Sequence, residues 1–140
     1  MIKKILKLSL IIIFFSTPLY SKSLYFQEGL EFFNKKKFKQ AQLKSEQDIV
    51  FNPKSEMSYL YLSKIFKNLD KIKLQEQNLN TVVLINPKNE EAILDLAKLK
   101  LKSFNFKKSK ELNDRLSLLC NKFCNDSKKL KIEIENLSKK

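Results

Sequence analysis

Asn52-Pro53-Lys54-Ser55-Glu56 returns 34 residues later as Asn86-Pro87-Lys88-Asn89-Glu90. A near-copy at a fixed period of this size marks a stacked array, in which each unit cannot bury its apolar face alone and neighbours complete one another's core. Set on the two prolines, Tyr25, Gly29, Phe32, Phe38, Ile49 and Phe51 fall opposite Tyr59, Ser63, Phe66, Ile72, Val83 and Ile85. Character is kept at each of these pairs and lost at Ala41 against Gln75. Proline cannot continue a helix, so Pro53 and Pro87 each end a unit. Ser55 and Asn89 are then expected to cap the next helix, with Glu56 and Glu90 at its positive end. One Gly and three Pro in 140 residues leave little material for the frequent turns that strands require. The expectation is an all-α chain of paired helices, brought close by the small Gly29, Ser63 and Ala97.

At these positions the sequence resembles the tetratricopeptide repeat family. Tyr25, Gly29, Phe32, Phe38, Ala41 and Pro53 match its pattern in the first unit, and Tyr59, Ser63, Phe66, Ile72 and Pro87 match most of it in the second. In the third, Ile93, Ala97 and Phe106 fit, while Lys100 and Asn121 stand where an aromatic and a proline belong. Ser45 and Asp48 occupy apolar family positions, so the second helix of the first unit is expected to sit imperfectly. The resemblance implies a helix-turn-helix solenoid over residues 22–140, with units 22–55, 56–89 and 90–123. A capping helix over 126–139 follows, started by Asp126 or Ser127, with Leu130, Ile134 and Leu137 on one face. The stretch LKIEIENL also alternates like a strand, but no other strand is available to pair with it.

In that family the first helices of successive units line a groove that takes an extended peptide or a partner helix. Carried over residue by residue, the groove consists of Phe26, Leu30, Phe33 and Asn34 in the first unit. The second unit supplies Met57, Leu60, Lys64, Lys67 and Asn68, and the third Leu94, Lys98, Leu101 and Lys102. Lys64, Asn68, Lys98 and Lys102 are of the type that receives an acidic terminus, since an ammonium pairs with a carboxylate. The alternative is a solvated charged wall beside an apolar patch.

Residues 1–21 read as a secretory signal peptide. Lys3, Lys4 and Lys7 precede the apolar run from Leu8 to Phe15, Pro18 breaks it, and Ser21 and Ser23 are small enough for cleavage. Cleavage after Ser23 leaves the smaller flanking pair, cleavage after Ser21 the larger. An uncut membrane anchor is the other reading, but the run from Leu8 to Tyr20 falls short of the roughly 20 apolar residues a spanning helix needs. The leader carries three Lys and no acid, so its removal lowers the net charge from +13 to +10.

Cys120 and Cys124 are the only cysteines. In an exported chain they are expected to form a disulfide joining the third unit to the final helix, eased by a turn at Asn121. Two free, buried thiols are the alternative. A metal site is not expected, because there is no His to join the pair. Three intervening residues also differ from the two of a redox motif.

The inventory argues against an enzyme and against a cofactor. There is no imidazole, and one Gly cannot build a phosphate-cradling loop. Glu90, Glu91 and Asp95, like Glu111 and Asp114, fit helix surfaces or starts. The basic charge is spread along the chain, which suits a solvated surface, and no aromatic–basic motif points to nucleic acid. The expected function is therefore an exported, periplasmic adaptor or scaffold that holds a protein or peptide partner in its groove. The runner-up is a basic protein lying on an anionic membrane surface.

Overall fold

The structure, a computed structural model, describes residues 23–139, so the expected leader over 1–21 lies outside the described residues. Seven helices follow one another: α1 (Leu24–Asn34), α2 (Phe38–Phe51), α3 (Glu56–Asn68), α4 (Ile72–Ile85), α5 (Glu90–Lys102), α6 (Phe106–Leu119) and α7 (Cys124–Leu137). There is no strand among the described residues, and the LKIEIENL segment is helical. α1 packs on α2, α3 on α4 and α5 on α6; each second helix also meets the first helix of the next pair, and α7 covers α6 and reaches α5. This is an all-α helical repeat solenoid.

The turn inside each pair repeats with the sequence. Lys36, Asp70 and Phe104, spaced by 34, are left-handed with φ of 57°, 53° and 56°. At each turn the following N–H reaches back across it, from Lys37 to Phe32, Lys71 to Phe66 and Asn105 to Lys100, each at 2.9 Å. Those bonds occupy carbonyls that a helix end otherwise leaves unpaired. The chain builds this motif three times without the glycine that would adopt it freely.

Leu60, Leu79, Val82, Ile93, Leu96, Leu112, Leu116, Leu130 and Ile134 belong to one buried cluster running from α3 to α7. Leu130 and Ile134 face it as expected, and Leu137 packs at its edge. In the first pair, Gly29 is buried, and a Cβ there would lie 3.2 Å from the Ser45 hydroxyl and 3.3 Å from the Lys44 Cβ. Ser45 and Asp48 are both buried, and α2 is nonetheless a full helix of 14 residues. Burial of a charged side chain is tolerated when hydrogen bonds replace its water. Asp48 accepts from the hydroxyls of Ser23 and Ser58.

Three local expectations are corrected. Asn89 caps α5, its side-chain oxygen accepting from the Ala92 N–H at 2.8 Å, but Ser55 makes no such bond and donates to the Ser58 hydroxyl instead. The final helix begins at Cys124, ahead of the expected Asp126 or Ser127. Ser127 is buried and tied to Asn113, donating to its side-chain oxygen at 3.0 Å, so it joins α7 to α6 rather than capping. The segment before α7 is held by Glu90, whose carboxylate accepts from the N–H groups of Asn121, Lys122 and Phe123 at 2.9–3.0 Å. A glutamate at the start of the third unit thus holds that unit's end, where Pro would recur. Lys100, in place of an aromatic, forms an ion pair with Glu76 at 2.6 Å.

Candidate partner-binding face

The first helices α1, α3 and α5 carry the thirteen residues expected in the groove. Phe26, Leu60, Leu94 and Leu101 are buried, each 4% exposed or less. They are core side chains rather than groove surface, which corrects the sequence-based assignment. Leu30, Phe33, Lys64 and Lys98 are half-buried, while Asn34, Met57, Lys67, Asn68 and Lys102 are exposed.

The residue after each buried one faces outward instead. Gln27 is exposed, and Tyr61 and Asp95, its equivalents 34 and 68 residues on, are half-buried. Tyr61 sits edge-on to Phe26 and Phe33, with ring centroids 5.6 and 5.3 Å apart, and Lys64 lies over its ring at 4.8 Å. The first two units therefore offer an aromatic surface with one ammonium on it.

The second and third units meet across charge. Lys64 reaches Glu91 at 2.8 Å, linking α3 to α5. One turn along, Asp95 lines a small cleft with Lys67, Lys98 and Lys102. Burial pushes the Asp95 carboxyl up, Lys67 opposes that shift, Glu91 adds to it, and Lys98 and Lys64 pull it back down. Beside it a cleft of about 240 Å³ is lined by Lys67, Asp70, Ile72, Gln75, Leu99, Lys102 and Ser103. Gln75, where the first unit has Ala41, is 7% exposed. Asn68 donates from its amide to the Lys64 carbonyl at 2.8 Å. Sequence reasoning missed Tyr61, Glu91, Asp95 and Gln75 as parts of this face.

A cleft of about 430 Å³ lies at the joint of the first two units, among Ser23, Asp48, Asn52, Ser55, Glu56, Met57 and Asn86. Its acids are engaged within the fold. Asp48 takes the two serine hydroxyls already named, and Glu56 accepts from the side-chain amides of Asn86, at 2.9 Å, and Asn89. Among the described residues no group of three or more His, Cys, Asp or Glu is placed to hold a metal ion, and no helix is long and apolar enough to cross a membrane.

Cys120 ends α6 and Cys124 starts α7, with Cα atoms 5.1 Å apart and sulfurs at disulfide distance. The non-helical backbone at 120–123 supplies the turn expected at Asn121.

No family model and no curated protein sequence matches the chain. Solved structures do match in shape. The TPR2B domain of yeast Sti1, solved as a complex with pHsp70, superposes with a TM-score of 0.72 at 15% identity, covering 81% of this chain and 94% of that one. The first tetratricopeptide repeat of Spaghetti (RPAP3), bound to the HSP90 peptide SRMEEVD, gives 0.68 at 16% identity, with coverages of 79% and 90%. The Yersinia enterocolitica type III secretion translocator chaperone SycD gives 0.71 at 13% identity and covers 81% of each chain. At such identities the likeness is one of fold, and the fold is that of tetratricopeptide repeat domains.

Proposed function

Taking the tetratricopeptide repeat fold as the frame, we propose that this chain is a non-enzymatic adaptor that holds an extended acidic segment of a partner protein across α1, α3 and α5. The observation that carries this is the pairing of two surfaces on one face. The rings of Phe33 and Tyr61 lie on the same helices as the cleft edged by Lys67, Lys98 and Lys102, and Lys64 links them, lying over the Tyr61 ring and acting on Asp95 in that cleft. An acidic chain end fits the lysines, while apolar side chains before it fit the rings. Asp95 is the one acid in that cleft, and three lysines surround it. Two of the superposed domains were solved with pHsp70 or with an HSP90 peptide, which supports the binding of a protein segment by this fold.

The adaptor works outside the cytoplasm, in the periplasm, in keeping with the leader-like residues 1–21 and with a Cys120–Cys124 bond in the mature protein. Thiol labelling of the native, unreduced protein should leave both cysteines unmodified; labelling of both would remove that bond from the proposal.

The partner reading is tested with fluorescent acidic heptapeptides that carry apolar residues before a free C-terminal carboxylate. Titrated by anisotropy, they should bind, and amidated or Lys-for-Glu versions should bind more weakly. Replacing Lys98 and Lys102 by Ala should weaken Kd about tenfold, since partly exposed charge pairs contribute up to about 1 kcal/mol each. Equal binding by neutral peptides, or by the double variant, would overturn the acidic-segment reading.

A further inference from the structure

On the outer side of the second helices, near their C-terminal ends, the 34-residue period repeats something the core does not explain. Val50, Leu84 and Leu118 occupy the same place in the last turn of α2, α4 and α6, and are 73%, 81% and 88% exposed. Four residues after each comes an exposed lysine in the connecting loop: Lys54, Lys88 and Lys122. Three helical turns before each comes another exposed lysine in the first turn: Lys39, Lys73 and Lys107. Eleven residues are close to three full turns, so the apolar residue and its preceding lysine lie on one side of their helix. Equivalent positions in a repeat array recur along the same edge. The result is a ladder of three rungs, each an apolar side chain between two ammonium groups.

Acids offset the ladder only in part. Of the carboxylates on the exposed sides of these helices, Glu76 is paired with Lys100 and Glu111 with Lys108. Glu46, bonded to the neutral Gln42 amide at 2.7 Å, keeps its charge beside the first rung, and Asp114 and Glu90 act against the third, Glu90 attracting Lys122. Apart from Lys54, these nine residues stand outside the clefts described above and project singly from the helix edge. Single apolar side chains that project between long, mobile cations suit a deformable anionic surface, which each rung can enter without shape matching. Neither kind of group suffices alone: the apolar area is small, and lysines without insertion give only salt-sensitive attraction.

We propose that the outer edge of α2, α4 and α6 rests on an anionic lipid surface, with Val50, Leu84 and Leu118 entering the headgroup layer and the flanking lysines on the lipid charges. The groove of α1, α3 and α5 stays free, so the membrane-bound array still presents it to a partner. This reading is independent of what the groove binds.

The chain contains no Trp, so Leu84→Trp in the full chain gives a single local reporter at an exposed site. With vesicles of phosphatidylglycerol and phosphatidylcholine its emission should shift to the blue. The shift should be absent with phosphatidylcholine alone and lost in 0.5 M salt. Adding Lys54→Glu, Lys88→Glu and Lys122→Glu should lower the apparent partition by a hundredfold or more, given the contribution of each basic residue near such a surface. Circular dichroism of both proteins checks that helicity is kept, and a peptide titrated into the groove should leave the emission unchanged. No shift with either vesicle, or an equal shift in the charge-reversed protein, would overturn the proposal. A shift with a soluble acidic protein and none with vesicles would also overturn it and make the edge a protein-docking face.

Discussion

Ser58 donates its hydroxyl to the buried carboxylate of Asp48, and the same two positions in the next joint are held by Ala92 and Val82, both buried in the apolar cluster. One geometry is therefore satisfied by hydrogen bonding between the first two units and by packing between the second and third. Asp48→Ala alone should destabilise the protein by about 2–3 kcal/mol, because it leaves the Ser58 hydroxyl buried without its acceptor and opens a small void. Asp48→Val with Ser58→Ala, which copies the neighbouring joint, should lie within about 1 kcal/mol of the parent. Urea denaturation of the three proteins checks this, and a double variant as weak as the single one would show that the joint depends on the carboxylate itself.

Ser23 bears on where a leader is cut. Its hydroxyl oxygen accepts from the Phe26 N–H at 3.1 Å, capping α1, while its proton goes to Asp48. Cleavage after Ser23 would remove the cap and one partner of a buried charge, whereas cleavage after Ser21 keeps both. If the proposed leader is cut, intact mass of the mature protein should place the N-terminus at Lys22. A mature chain beginning at Leu24 would refute the argument.

Glu90 makes the last junction sensitive to acid. The Phe123 N–H is the main cause holding its carboxyl below the ordinary 4.5, aided by the N–H groups of Lys122 and Asn121, with some dehydration opposing. A carboxyl lowered on folding stabilises fully above its unfolded value, and that contribution fades as pH falls through the folded one. Melting temperature should drop more steeply below pH 4.5 in the parent than in Glu90→Gln. Hydrogen exchange at 121–123 should be faster in the variant at pH 7.

Asp95 gives the opposite sign. Its carboxyl is raised on folding by burial, so its contribution is full below the ordinary 3.8 and is lost as pH rises through the folded value. Asp95→Asn should therefore be more stable than the parent at pH 7, with the difference closing in acid. The same variant should bind acidic peptides severalfold tighter by anisotropy; weaker binding would mean that Asp95 contacts the peptide as an acceptor.

The three left-handed turns offer a plain test of backbone cost. Side chains disfavour that conformation by about 1–2 kcal/mol, part of which is offset by the greater freedom of an unfolded glycine. Lys36→Gly should stabilise by about 0.5–1 kcal/mol in chemical denaturation. Phe104→Gly should gain less, because Phe104 also meets Phe106 edge-on at 6.2 Å.

The helix pairs were readable because the period carries its own punctuation, proline at each unit's end and aromatics at fixed offsets before it. Four of the thirteen residues expected on the groove are buried instead, three of them one position before a residue at the surface, and one residue is about 100° around a helix. Phe26, Leu60 and Leu94 are apolar in all three units, the mark of a core position, whereas Gln27, Tyr61 and Asp95 differ in kind, as surface positions do. That contrast was in the sequence. What was not readable is long-range pairing: nothing local announces that Glu90 holds Asn121 to Phe123, or that Asp48 is reached by serines from both sides. Such contacts join residues ten to thirty-three positions apart, and side-chain type alone does not choose among the partners.

The apolar cluster begins at α3 and runs unbroken into α7, leaving the first pair attached through Asp48 and its serines and through its own packing on α3. A load applied along such a rod is not shared evenly. Between α2 and α3 short-range hydrogen bonds carry part of that load, and they fail over a fraction of an ångström, whereas apolar packing yields more gradually. The joint between α2 and α3 is thus where the array depends on directional bonds as well as on the aromatic packing of Tyr61 against Phe26 and Phe33.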